Sequence, residues 1–144
     1  MKHRFRFERL ECWKQARALN RAIYRITRTF PRDEIYAMTS QVRRASTSIS
    51  SNIAEGSGRN SDKDFAHFLE QAYGSAMEVA SLLFLAGDEG YLPEAELDTL
   101  LETVAAVSTK VAALNRSLKV PASKTPFPRA ARPAFDPRPS TFDK

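Results

Sequence analysis

Four apolar stripes follow one another along this chain, built on steps of three and four residues, with the adjacent Phe68 and Leu69 both in the third, and proline or glycine separates each from the next. Cys12, Ala16, Leu19, Ile23, Ile26 and Phe30 form the first. Ile35, Met38, Val42, Ala45, Ile49, Asn52 and Gly56 form the second. Phe65, Phe68, Leu69, Ala72, Ala76, Val79, Leu83 and Ala86 form the third. Leu97, Leu100, Val104, Val107, Val111, Leu114 and Leu118 form the fourth. Such a repeat is the seam of a helix lying along its neighbours rather than across them.

The breaks between stripes set the topology. Phe30-Pro31 ends the first helix, because the residue before a proline resists the α region. The second helix is predicted to begin near Asp33 and to stop at Gly56-Ser57-Gly58. It is rich in small residues, among them Ala45, Ser46, Ser48, Ser50, Ser51 and Ala54, which let a neighbouring backbone come close. Ser61-Asp62-Lys63-Asp64 reads as a capping box for the third helix, with acids in its first turn. Gly87 and Gly90 close that helix, Pro93 opens the fourth, and Pro121 stops it. Loops this short force consecutive helices to run antiparallel. The expected fold is all-α: an antiparallel up-down-up-down four-helix bundle over residues 9–120, after an N-terminal extension at 1–8. Residues 121–144 carry six of the eight prolines among basic and polar residues. They are expected to form a disordered, mobile tail.

Bundles often house di-metal sites, which need two E-x-x-H repeats plus two more inward carboxylates. This chain has two histidines, His3 and His67, and a single D-x-x-H at 64–67 with His67 off the stripe. Neither a metal nor a cofactor is expected. No nucleophile elbow, phosphate-binding loop or Cys–His pair is present in the sequence. Cys12 falls on an apolar stripe, where a free thiol behaves as a small hydrophobe. Gly56-Ser57-Gly58-Arg59 precedes a helix start, where an anion can sit, but it lacks the phosphate-loop spacing. The expectation is a protein without catalysis. No apolar run approaches the roughly eighteen residues of a membrane span. The lone cysteine suits a reducing compartment, and the basic N-terminus is followed by no signal-peptide core, so the expected location is cytoplasmic.

Charge is distributed unevenly. Residues 1–46 hold 12 Lys/Arg against 4 Asp/Glu, residues 47–120 hold 5 against 11, and the tail holds 5 against 2. On the first helix, Lys14, Arg17, Arg21, Arg25 and Arg28 fall opposite the apolar stripe, forming a ridge about 20 Å long. Trp13 and Tyr24 flank it, Arg32 extends it, and Arg43 and Arg44 can add to it from the second helix. An ordinary solvated face mixes Glu with Lys; this one carries almost no acids. Arginine also favours forked contacts to phosphate or carboxylate. Lys14, Arg17, Arg21, Arg25, Arg28, Arg43, Arg44 and Arg59 are the candidate nucleic-acid-binding residues. A protein partner or a sister subunit is the rival use of the same ridge.

Particular residues also carry a resemblance. Leu10-Glu11-Cys12-Trp13-Lys14-Gln15-Ala16, Phe30-Pro31 and Ser40-Gln41-Val42-Arg43-Arg44-Ala45 are similar to the protein family encoded by intervening sequences in bacterial large-subunit ribosomal RNA. The match is most specific at Ser48-Ile49-Ser50-Ser51-Asn52-Ile53-Ala54-Glu55-Gly56-Ser57-Gly58-Arg59. It continues through Phe68-Leu69, Ala72-Tyr73-Gly74-Ser75-Ala76 and Glu78, spanning about residues 5–119. The resemblance implies a bacterial four-helix bundle assembling as a ring-shaped homopentamer, with no enzymatic activity. It also implies similarity to the accessory subunit of diversity-generating retroelements, whose partners are a reverse transcriptase and nucleic acid. The expected function is a non-catalytic oligomeric scaffold holding RNA or DNA on the basic ridge. The alternative is a protein-interaction module whose basic and acidic faces pair between subunits.

Overall fold

The computed structural model describes residues 2–118, so the Pro-rich segment and its expected mobility lie outside the described residues. Four helices follow in chain order: α1 (Glu11–Thr27), α2 (Met38–Ser57), α3 (Asp62–Asp88) and α4 (Glu94–Ser117). Short 3₁₀ turns at Arg6–Arg9 and Arg32–Glu34 complete the described structure. α1 packs on α2 and α4, and α3 packs on the same two, leaving α1 and α3 on a diagonal. This is the expected up-down-up-down four-helix bundle.

The first stripe folds inward as read. Cys12, Ala16, Leu19, Ile23 and Phe30 are buried, and Ile26 packs against them half-buried. The buried Thr27 hydroxyl would be costly unpaired; it donates to the Ile23 carbonyl at 2.7 Å. Burial pushes the Cys12 thiol up to about 11. Thiol reagents are therefore expected to modify Cys12 at neutral pH only as fast as the bundle opens. Labelling that outpaces amide exchange in α1 would contradict that burial. The folded chain keeps this proton to about pH 11, whereas the unfolded chain releases it near 9. The thiol's contribution to stability is thus fully present below pH 9 and lost between those values.

The second helix departs from expectation at its start. It begins at Met38 rather than near Asp33. The backbone leaves the helical region at Ala37 (φ −124°, ψ −106°); the Glu34 carboxylate accepts from the Met38 N–H (3.1 Å), in the place its own carbonyl takes in a continuous helix, and from the Tyr91 hydroxyl (2.9 Å). Glu34 in turn pushes the Tyr91 phenol up to about 12. Ile35, read as the first stripe residue, is 51% exposed, and Tyr36 beside it is 94% exposed. Further along, Ile53 and Ser46 are fully buried, whereas Asn52, expected inside, is half-buried.

Small residues bring α2 and α3 together. Ser48 Oγ meets Ser75 Oγ at 2.8 Å, and Asn52 Nδ2 donates to the Ser48 carbonyl at 2.8 Å. At Gly56 a Cβ would lie 2.6 Å from Phe68 Cβ and 2.9 Å from a Phe65 ring carbon, so only glycine fits. Ser61 Oγ accepts from the Asp64 N–H at 3.1 Å, the expected cap of α3. The other end of α3 closes in a Schellman motif. Gly90 adopts φ 74°, its N–H bonds the Gly87 carbonyl, and the Tyr91 N–H bonds the Ala86 carbonyl.

Candidate nucleic-acid interface

The α1 ridge stands opposite the buried stripe. Lys14, Arg17, Arg21, Arg25 and Arg28 are all exposed. Arg21, Arg25 and Arg28 have no carboxylate within ion-pair distance among the described residues. With Asn20 and Tyr24 they line an open concavity of about 260 Å³. Three guanidinium groups on one helix face, unneutralised, make a surface suited to successive phosphates.

The remaining candidates divide. Lys14 pairs with Glu11 at 3.2 Å, and Arg59 with Glu55 at 2.9 Å; both pairs are exposed and therefore weakly held. Arg17 lies over the Trp13 ring at 5.5 Å and Arg59 over Phe68 at 4.6 Å. Arg43 is half-buried between α1 and α2. Its Nε donates to Thr27 Oγ1 at 2.8 Å, and its guanidinium covers the Tyr24 ring at 4.7 Å. It joins the two helices at the edge of the ridge. Arg44 is exposed, but one residue further round α2, about 100° away from Arg43. The structure thus brings together Arg21, Arg25 and Arg28, borders them with Arg17 and Arg43, and sets Arg44 and Arg59 apart.

Residues 1–8, a plain extension by sequence, are in part anchored to the bundle. The 3₁₀ turn at Arg6–Arg9 packs on α1 and α2. Arg6 lies over the Phe65 ring at 5.0 Å and reaches the Ser57 carbonyl at 3.5 Å. The signal was the alternation of Arg4, Arg6 and Arg9 with Phe5 and Phe7. It follows no helical period and so escaped a search for stripes.

Elsewhere, His67 is exposed and contacts Gln71 at 3.0 Å. No group of three or more potential metal ligands is found among the described residues. No described helix is long and apolar enough to cross a membrane.

The sequence profile of the 23S rRNA-intervening sequence proteins matches residues 8–113. The chain belongs to that family. The matched stretch takes in the α1 ridge and all of α2 and α3. A solved structure from Bacteroides thetaiotaomicron VPI-5482, described as a protein of unknown function from the S23 ribosomal protein family, superposes with a TM-score of 0.66. It is 19% identical, and the match covers 74% of this chain and 99% of that one. At that identity the likeness speaks for the fold shared with this 23S rRNA-intervening sequence protein, and for nothing further. No curated protein matches the chain.

Proposed function

We propose that this family member is a non-catalytic, oligomeric scaffold that holds the backbone of RNA or DNA along α1. The observation that carries the reading is the set of exposed guanidinium groups of Arg21, Arg25 and Arg28, with no carboxylate in ion-pair distance among the described residues. Phosphates are the polyanion that fits, since each neutralised phosphate releases counterions and the spacing follows a strand. Binding to structured RNA and to duplex DNA is expected to fall steeply with salt. Arg21→Gln, Arg25→Gln and Arg28→Gln together are expected to reduce the slope of log affinity against log salt by about 2–3. No binding at low salt, or an unchanged slope, overturns the reading.

A second observation favours self-assembly. Met77, Phe84 and Leu85 on α3 are 42%, 52% and 48% exposed, which is unusual for large apolar side chains on one helix. The back half of the chain is acidic where the front is basic. A head-to-tail ring, such as the pentamer the resemblance implies, uses two different patches of this kind. In the protein-interaction alternative the arginines face a neighbouring subunit, or a protein partner such as a reverse transcriptase. Light scattering of the triple variant separates the two. An oligomer that survives supports the nucleic-acid ridge, and one that dissociates supports the interface.

A further inference from the structure

A second basic surface lies outside the ridge, at the end of the bundle where α1 starts. Residues 2–9 hold Lys2, Arg4, Arg6 and Arg9 against one acid, Glu8. Glu8 forms no ion pair within 4 Å with any of them. Its Oε2 accepts from the backbone N–H groups of Arg4 and Phe5, each at 2.7 Å. Those two bonds hold its carboxyl below the ordinary range and fix the backbone beneath Phe5.

The Phe5 ring is 60% exposed. It stacks nearly parallel on Phe7, with centroids 5.6 Å apart and planes 4° apart. Phe7 meets Trp13 at 4.8 Å, and Trp13 carries the guanidinium of Arg17 at 5.5 Å. A continuous series of rings therefore runs from an exposed face at Phe5 to the first arginine of the ridge. Arg6 is spent holding this segment to Phe65 and Ser57. Neither Arg4 nor Arg9 makes an ion pair within 4 Å among the described residues. With His3, Phe5 and Arg6 they line a concavity of about 220 Å³.

We infer that this surface binds an unpaired nucleic-acid strand, with one base stacked on the exposed face of Phe5 and the adjoining phosphates held by Arg4 and Arg9. A rigid aromatic ring beside unpaired cations is how single strands are held without regard to sequence. Bases already stacked in a duplex cannot use Phe5, so the platform distinguishes single from double strands, which the ridge does not. Only the path of the strand beyond Arg17 rests on the ridge reading. The stacked base does not.

The test is fluorescence anisotropy with labelled oligo(rU), oligo(dT) and a blunt duplex, each of about a dozen nucleotides. Both single strands are expected to bind more tightly than the duplex at salt high enough to screen phosphate contacts. Phe5→Ala is expected to weaken single-strand binding about tenfold and to leave the duplex unchanged to within about twofold. Phe5→Trp, in a Trp13→Phe background, is expected to keep single-strand affinity, and its emission to be quenched by either oligonucleotide. A Phe5→Ala variant that binds single strands normally, or loses single strand and duplex alike, overturns the inference and leaves the ridge standing. Loss on Phe5→Ala with no effect of the ridge substitutions keeps the platform and removes the ridge. No binding to any oligonucleotide overturns both. Emission that responds to phosphatidylserine vesicles and not to oligonucleotides overturns it in favour of a lipid surface.

Discussion

Replacing Phe65 with alanine is expected to cost about 3–5 kcal/mol of folding stability, a fall in Tm on the order of 15–25 °C for a domain of this size. Phe65 is 1% exposed and is the largest fully buried side chain. Its ring fills the space beside Gly56, where no side chain exists to swing into the cavity. The same ring supports the Arg6 guanidinium. The variant is therefore expected to loosen the segment before α1 as well as the core. Thermal melts by circular dichroism measure the first effect, and limited proteolysis ahead of Glu11 measures the second. A loss below about 1 kcal/mol would mean that α2 and α3 can close the gap, contrary to the tight contact at Gly56.

Gly56→Ala is expected to destabilise by about 1–3 kcal/mol, although alanine is the better helix former by about 1 kcal/mol. The added methyl would meet Phe68 Cβ at 2.6 Å, and a Cβ moves only with its backbone. α3 must shift as a whole, straining the Ser48–Ser75 contact along the same seam. Trimming Phe65 relieves one of the two encounters and not the one with Phe68, so pairing the changes is not expected to restore stability. Denaturant titration checks this: the midpoint is expected to fall with the slope unchanged. A neutral or stabilising result would show that the two helices are less closely seated.

The physical basis of these effects explains what could be read from the sequence. α1, α3 and α4 were legible because long apolar side chains mark a buried face unambiguously. α2 was harder, since its inner face is built from alanine, serine and glycine. There a three- or four-residue step selects Asn52 as readily as Ile53, and only the buried face of the folded helix separates them. Its start was misplaced because the break at Ala37 is marked by no proline or glycine. The ridge was legible as a charge pattern on one helix. Which arginine is free was not, because Arg43 is drawn aside by Thr27 and Tyr24 of another helix. The aromatic platform was missed because its geometry comes from Glu8 gripping two backbone amides, a local device without periodicity.

The bond from Tyr91 to Glu34 joins the two connections at one end of the bundle, α1 to α2 and α3 to α4. Phe30 against the Tyr91 ring, at 5.4 Å, reinforces it. Helix ends that could otherwise fray one at a time are thereby expected to open together. At the opposite end, where the chain enters α1 and α2 passes into α3, Arg6 makes the corresponding link, lying over the Phe65 ring at 5.0 Å and reaching the Ser57 carbonyl at 3.5 Å. The two poles are thus held by different means: a carboxylate–phenol bond backed by a ring contact at one, and a single arginine at the other, which carries Phe5, Arg4 and Arg9.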